Sequence, residues 1–477
     1  MKSNTTIMEL LPLNRPEYPG SIETVLSALA WSLAQDPDSY APLVFEIAQE
    51  SSSKKRRFPI KSTRQHGLEA VVSTFRAAGI SFPPSPGLED AVLDAFRGVI
   101  PQKAFSYPAL PLVQAACFLQ NPKGTKGKQH PANYSQIIEQ MYALGTSRPV
   151  SIGAAETWFS ILAAPEANPL FAGLNSLADR MVPSQDGTCS PILLCREKQV
   201  PVNPSGPIWL HDVPTPFTWF HQAWNTFCTL AWRDALPRRR WCDWASCIIR
   251  TAMGMGYLWE AQLYRELCEN LASTSPQPQV SLRGTKELLK WTGRSEAIST
   301  RDVNSRIRQV VSTGHAAREQ FKSLFESAMR AKPELASATL DDIVSSVRHE
   351  MAEINPNPFL EILTESKRTD GPNTWETVVY SLQCRAETGV DADFYSLLTR
   401  RSRRFLVVEP GPEWMVVLAS LTAGAPGRCT TLGQVKLNLA MLGLFPSRET
   451  LVQELEQAGL AGSSHDSDDA LEVVSAF

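Results

Sequence analysis

The stretch 237-PRRRWCDWASCIIRTAMGMGYLWEAQLYR-265 determines the fold. Its large apolar residues recur at steps of three and four, the spacing that places side chains on one face of an α-helix. These residues are Trp241, Trp244, Ile248, Ala252, Met255, Trp259 and Leu263. Pro237 stands where a proline fits the start of a helix without losing a needed N–H. The pattern predicts one long helix, with Gly254 and Gly256 as its weak point because glycine lowers helix stability.

The tryptophans of the chain are concentrated in and around this predicted helix. Seven of the twelve lie between Trp209 and Trp259. Each buried aromatic side chain removes roughly 150–250 Å² from water, so the segment should lie at the centre of a hydrophobic core. Tryptophans at helical spacing are more typical of a core than of a surface that stacks on nucleic-acid bases.

The composition is that of a soluble globular protein. The chain has 477 residues, enough for two to four domains, and 43% of them are hydrophobic and 20% charged. Its net charge of −3 gives no overall basic field. The first residues lack an apolar signal segment, and the nine cysteines form no Cys-x-x-Cys pair. We therefore expect a cytoplasmic protein with reduced thiols, no cofactor and no contact with a membrane.

The order of helical and strand-like patterns predicts a mainly α, multi-domain protein with a small strand-containing insert. Residues 41–49 are predicted to be helical, and the basic stretch that follows them a loop. Ser190–Arg196 and Pro207–Leu210 are predicted to be the strands of the insert. The division is a helical domain (1–183), short strands with aromatic-rich core helices (184–272), a basic helical region (273–398), and a C-terminal module with an acidic tail (399–477).

The C-terminal module has the pattern of a strand followed by three helices. Phe405–Val408 is strand-like, Ser447 is placed to cap the third helix, and Gly459 to end it. The stretch 442-LGLFPSRETLVQELEQAGL-460 resembles the helix-turn-helix core of a winged-helix domain, over about residues 405–460. The resemblance implies either a third helix in the DNA major groove or a protein-docking module. Between Glu449 and Phe477 there are seven acidic residues and no Lys or Arg, so this face should repel phosphate.

Basic residues are grouped in four segments: 54–64, 238–250, 283–308 and 400–404. If these segments converge, their side chains can bind phosphate, and neighbouring tryptophans can stack on exposed bases. The alternative is that they solvate helix faces or meet an acidic partner subunit. The candidate nucleic-acid-binding residues are Lys54, Lys55, Arg56, Arg57, Arg238, Arg239, Arg240, Arg301, Arg306, Arg308, Arg400, Arg401, Arg403 and Arg404.

Signals for catalysis are weak, and the sequence favours a non-catalytic protein. Glu365 and Lys367 have the spacing of a metal-dependent nuclease core, with Asp341 or Asp342 as a further ligand. That motif belongs on paired strands, whereas this region has a helical pattern. The leading prediction is a non-catalytic subunit of a cytoplasmic multi-protein complex that acts on nucleic acid, DNA rather than RNA, in a setting such as bacterial genome defence. The alternatives are a pure protein–protein scaffold and a divergent metal-dependent nuclease.

Overall fold

The chain is mainly helical, as the sequence predicts. The computed structural model describes residues 9–16, 25–34, 47–49, 56–57, 67–81, 87–98, 106–107, 109–119, 134–181, 206–211, 213–273, 286–352, 354, 356–365, 369–389, 392–461 and 470–477. Buried hydrophobic residues from Leu10 to Val473 belong to one continuous cluster. The division into four segments stays a prediction.

The N-terminal part contains short helices and a small sheet. The elements are α1 (Val25–Ser32), β1 (Ile47–Gln49), β2 (Arg56–Arg57), α2 (Gly67–Ala77), α3 (Leu88–Ala95), β3 (Ser106–Tyr107), α4 (Tyr134–Leu144), α5 (Ala154–Leu162) and α6 (Pro169–Met181). The sheet is antiparallel with the order β2-β1-β3. The helix predicted over 41–49 is therefore wrong at Ile47–Gln49, and the predicted loop is wrong at Arg56–Arg57. Pairing with a strand some sixty residues away, Ile47 opposite Tyr107, overrides the local helical pattern.

The middle of the chain consists of long helices around one central helix. The elements are α7 (Pro216–Phe227), α8 (Leu230–Ala235), α9 (Arg238–Ala272), α10 (Asn304–Ala331), α11 (Leu340–Met351), α12 (Pro358–Thr364) and α13 (Pro372–Leu382). The predicted long helix is confirmed as α9, which begins directly after Pro237. Helices α7, α10, α12 and α13 all pack against α9. Every residue from Cys247 to Ala261 is buried, so the middle of α9 is covered around its whole circumference rather than on one stripe.

The glycines of α9 are sites of close packing, which corrects the prediction that they are its weak point. A methyl group on Gly254 would overlap the Leu382 side chain of α13. On Gly256 it would lie 2.9 Å from the Phe217 ring of α7. The absent side chains let the neighbouring helices approach α9 closely, and that packing offsets the lower helix propensity of glycine.

The tryptophans form the core predicted for them. The Trp158 and Trp241 rings stack with centroids 5.9 Å apart and an interplanar angle of 10°. The Phe227 ring also stacks on Trp241, with ring centroids 5.4 Å apart. Trp244 contacts both Phe227 and Trp232. All four tryptophans of this cluster and Trp224 are fully buried, so they stabilise the interior and are closed to nucleic-acid bases.

The strand predicted at Pro207–Leu210 is wrong. Ile208–Leu210 is a 3-10 turn in which Leu210 N–H donates to Pro207 O and His211 N–H to Ile208 O. Local i to i+3 bonds satisfy this backbone, so it needs no strand partner. The other predicted strand, 190–196, lies outside the described residues.

The C-terminal part combines a hairpin with three helices and a second strand pair. The elements are β4 (Leu398–Arg401), β5 (Phe405–Val408), α14 (Pro412–Ala423), β6 (Cys429–Thr431), α15 (Leu432–Met441), α16 (Arg448–Gln457) and β7 (Glu472–Val474). Strand β4 pairs with β5, and β6 pairs with β7, both antiparallel. The Ser447 cap is confirmed, since its Oγ accepts from Thr450 N–H at 3.2 Å. Gly459 has a φ of 72°, as expected where a helix ends.

Within the part of the chain that the structure describes, seven cysteines are free, and five of them are buried. No helix there combines the length and the apolar composition that crossing a lipid bilayer requires.

Candidate nucleic-acid interface

The tip of the β4–β5 hairpin holds two arginines in a strained turn. Ser402 and Arg403 have φ values of 50° and 57°, and Arg404 N–H donates to Arg401 O at 3.2 Å. Two successive positive φ values define a type I′ turn, which favours Asn and Gly. Each left-handed residue with a side chain costs about 1–2 kcal/mol. Backbone strain of this kind is concentrated at functional sites, and here it keeps an arginine where glycine is preferred.

The start of α10 lies beside this hairpin. Val303 N–H donates to Leu406 O at 2.8 Å, and Leu406 N–H donates to Asp302 Oδ1 at 2.8 Å. These two bonds join the backbone just before α10 to strand β5. The basic segments 301–308 and 400–404, separated by about a hundred residues of sequence, therefore meet at one junction.

A buried carboxylate ties the two segments together. Glu409 accepts from Arg301 Nη2 at 2.6 Å and from Arg401 Nε at 2.7 Å. Burial alone would raise the pKa of Glu409, but the hydrogen bonds from Arg401 and Arg301 hold that pKa below its ordinary value. Arg301 is only 5% exposed, so this candidate residue holds the junction together and does not face solvent.

Four exposed arginines lie on the two segments within a few residues of these backbone bonds, and we call them the arginine surface: Arg306, Arg308, Arg403 and Arg404. Arg306 donates to Glu287 O at 3.0 Å. The Arg308 guanidinium lies 4.3 Å from the centre of the Trp375 ring, and that of Arg404 lies 5.2 Å from Phe405.

A guanidinium that lies over an aromatic face can still donate N–H groups to an anion such as phosphate. Trp375 is the residue that sequence reasoning missed. No sequence signal joins it to an arginine 67 positions earlier, because α10 and α13 must pack first.

Two further candidates of segment 400–404 are partly engaged. Arg400 is half-buried and donates to Gln383 Oε1 at 3.0 Å. Arg401 is 42% exposed and lies between Glu409 and Glu387, with its Nη1 3.8 Å from the Glu387 carboxylate. Both line the arginine surface without adding a free cation to it.

The basic segment at the start of α9 has a structural role. Arg238 is 6% exposed, pairs with Glu166 at 2.5 Å and covers the Phe171 ring. Arg240 pairs with Glu413 of α14 at 3.3 Å. Arg239 is exposed, and its guanidinium donates to Arg97 O at 3.0 Å. These contacts anchor the end of α9 to its neighbours.

The N-terminal basic candidates are not brought to this junction by any contact among the described residues. Arg56 and Arg57 form strand β2, which pairs with β1. Lys54 and Lys55 lie outside the described residues. All four stay predictions.

Residues of the nuclease alternative do not form a paired-strand motif where they are described. Glu365 directly follows helix α12, and Asp341 and Asp342 lie in the first turn of helix α11. Lys367 lies outside the described residues. Over the described ranges, no group of three or more His, Cys, Asp or Glu side chains is placed to hold a metal ion.

No protein-family model matches the sequence, and a search of the curated proteins finds no match. The geometry and chemistry of the described residues are therefore the basis for a functional proposal.

Proposed function

We propose that the chain is a non-catalytic, DNA-binding subunit of a cytoplasmic multi-protein complex. The observation that carries the proposal is the meeting of segments 301–308 and 400–404, each of which has two exposed arginines within a few residues of the shared backbone bonds. Guanidinium groups bind phosphate oxygens with paired N–H donors, and the release of condensed counterions drives such binding. Contacts of this kind position a protein on the backbone without reading sequence.

The hairpin is the element that we place against the nucleic acid. A two-stranded β-ribbon fits the grooves of duplex DNA, and this one presents Arg403 and Arg404 at its tip. Rigid presentation lowers the ordering entropy that flexible side chains would lose on binding. The phosphate contacts of Arg403 and Arg404 then offset the strain energy of the turn.

The winged-helix resemblance supports a second role for the C-terminal part. After the hairpin, the order of elements is helix α14, strand β6, helices α15 and α16, then strand β7 paired back to β6. Since α16 begins the acidic stretch of the chain, we assign this module to protein docking and not to the major groove.

Two exposed apolar residues support a partner protein on this module. Leu437 of α15 is 58% exposed, and Phe445, in the turn before α16, is 41% exposed. Exposed apolar side chains on a module with an acidic C-terminal stretch suit a partner that offers an apolar pocket with a basic rim. Bacterial genome defence remains the setting we propose for such a complex.

Fluorescence anisotropy with labelled duplex DNA tests the proposal. We expect binding at about 50 mM salt that weakens steeply by about 200 mM, with little dependence on sequence. Arg306→Gln/Arg308→Gln and Arg403→Gln/Arg404→Gln should each lower the affinity and reduce the slope of log K against log salt by about 2. Duplex RNA, measured in parallel, should bind more weakly.

The matched control removes the same charge from the far end of the same helix. Arg330 and Lys332, at and just beyond the end of α10, are both exposed, and Arg330→Gln/Lys332→Gln should leave DNA binding unchanged. An equal loss in this control would mean diffuse electrostatic binding and contradict the arginine surface. The absence of any binding at about 50 mM salt would favour the pure scaffold, to which exposed Leu437 and Phe445 already give support.

A further inference from the structure

A cleft of about 420 Å³ lies between α4, α5 and α7, built from residues that the DNA-binding proposal does not use. Its volume is within the range of roughly 300–1,000 Å³ that is typical of small-molecule sites. The loop after α4 supplies Arg148 and Ile152, α5 supplies Thr157, and α7 supplies His221 and Asn225. The cleft thus has walls from two helices and a loop, and the end of α4 closes it.

Hydrogen bonds fix the polar wall of the cleft. The Tyr142 hydroxyl donates to Asn225 Oδ1 at 2.7 Å, and Asn225 Nδ2 donates to His221 O at 2.8 Å. His221 Nδ1 lies 3.0 Å from Tyr142 O. Because a carbonyl oxygen only accepts, Nδ1 carries the proton, and Nε2 of the neutral ring is left as an acceptor.

The imidazole is held neutral and in place. It lies 4.4 Å from the Tyr142 ring at an interplanar angle of 32°. Burial lowers the pKa of His221, although its bond to the Tyr142 carbonyl acts in the opposite direction. At neutral pH the cleft therefore presents an uncharged acceptor on this wall.

Among the described residues that line the cleft, the charged side chain is Arg148, and there is no Asp or Glu. Arg148 is exposed, and its guanidinium forms no ion pair with any described residue, in contrast to the paired arginines of α9. An unpaired guanidinium in a cleft that is also lined by hydroxyl side chains favours a carboxylate or a phosphate.

The remaining wall is aliphatic. Val150, Ile152 and Ile161 line the cleft, and Ile152 is 50% exposed at its rim. We propose that this cleft binds a small organic anion with an apolar body. Arg148 binds the anionic head, the aliphatic residues cover the body, and His221 Nε2 accepts from an N–H or O–H donor of the ligand.

Three probes that share a phenyl ring distinguish the contribution of the anionic head to the affinity from that of the apolar body. Phenyl phosphate and benzoate carry different anionic heads, and benzamide is a neutral match for benzoate. In ligand-observed NMR titrations we expect at least one of the two anions to bind at least about tenfold more tightly than benzamide. The stronger anion identifies the head group. Equal binding of all three, or no binding of any, would overturn the proposal.

Substitutions of cleft residues test whether the anion binds in the cleft. Arg148→Gln should weaken the preferred anion about tenfold and leave benzamide unchanged, because it removes the cation alone. Asn225→Asp keeps an acceptor for the Tyr142 hydroxyl but adds a negative charge to the cleft, so it should also weaken the anion. Arg330→Gln, which removes an exposed charge from α10, is the matched control and should have no effect. Unchanged anion binding in Arg148→Gln would place the anion elsewhere and contradict the assignment.

Discussion

Arg250 in α9 makes two parallel hydrogen bonds to Asp393, at 3.1 and 2.9 Å, and both side chains are more than nine-tenths buried. The guanidinium also donates to Ser381 O and Gln383 O. Ser381 lies in the last turn of α13 and Gln383 directly follows it, so Arg250 also binds the backbone carbonyls at the end of this helix. The pair joins the central helix to the segment before β4, which in turn positions the hairpin.

Asp393→Asn should lower the free energy of unfolding by about 3–5 kcal/mol at neutral pH, because it leaves the Arg250 cation buried without its counter-charge. Urea unfolding measures this. Asp234→Asn is the control, since Asp234 is 60% exposed beside Arg233 and its ion pair should contribute less than about 1 kcal/mol. An equal, small effect in both variants would contradict a stabilising role for the buried pair.

The pH dependence of this variant has a defined sign. Burial would raise the pKa of Asp393, but Arg250 and Arg385 lower it to about 2, below the ordinary 3.8. A carboxyl with a lowered pKa stabilises the fold above its ordinary pKa, and this contribution is lost as the pH falls. The difference between wild type and Asp393→Asn should therefore be constant above about pH 4 and shrink towards about pH 2.

An element of this structure can be predicted from the sequence when the residues that determine it lie close together in the chain. The helix α9 and the Ser447 cap are encoded within a few turns of chain, and both were predictable. The strand Ile47–Gln49 depends on partners at Arg56–Arg57 and Ser106–Tyr107, so local periodicity misassigns it.

The same distinction applies to the candidate interface. Sequence identifies Arg301 and Arg308 as basic residues but not their environments. Arg301 is buried because Glu409, 108 positions later, lies against it, whereas Arg308 stays exposed on the Trp375 ring. Only tertiary packing separates an arginine that stabilises the fold from one that faces solvent.

Asp243→Asn should stabilise the protein at about pH 7.5 by roughly 2 kcal/mol. Burial raises the pKa of Asp243 to about 6, although Arg239 and Arg240 lower it. Since the folded pKa lies above the ordinary 3.8, protonation of this carboxyl favours folding, and that contribution is lost as the pH rises through about 6. Asparagine stays neutral, so the gain should nearly vanish at about pH 4. Urea titrations at the two pH values check this, and a gain of equal size at both would contradict it.

Gly314→Ala should destabilise the contact between α9 and α10. A methyl group there would overlap the backbone carbonyl of Ala261, and a helix backbone cannot move aside as a side chain can. Overpacking of this kind costs about 1–3 kcal/mol. Gly293→Ala is the control, because its methyl would meet two side-chain hydroxyls, that of Thr450 at 3.3 Å and that of Ser295 at 3.7 Å, and no backbone atom. Thermal unfolding compares them, and similar melting temperatures would mean that the helices can separate without loss.

Arg403→Gly separates the strain of the hairpin turn from the charge that the turn presents. Glycine adopts a φ of 57° without the penalty of a side chain, so the variant should raise the free energy of unfolding by about 1 kcal/mol. It also removes one cation of the arginine surface. If the proposed function is right, DNA affinity should fall, and the salt slope should decrease by about 1.

Arg403→Gln completes the comparison, because it removes the same charge but keeps a side chain at a positive φ. It should lower DNA affinity as much as Arg403→Gly without the gain in stability. Anisotropy and urea unfolding on the same two variants give both quantities. A gain in stability with unchanged DNA affinity would show that the strained turn serves no phosphate contact. Loss of affinity in Gly but not in Gln would assign the role to the rigid backbone of the tip and not to the guanidinium.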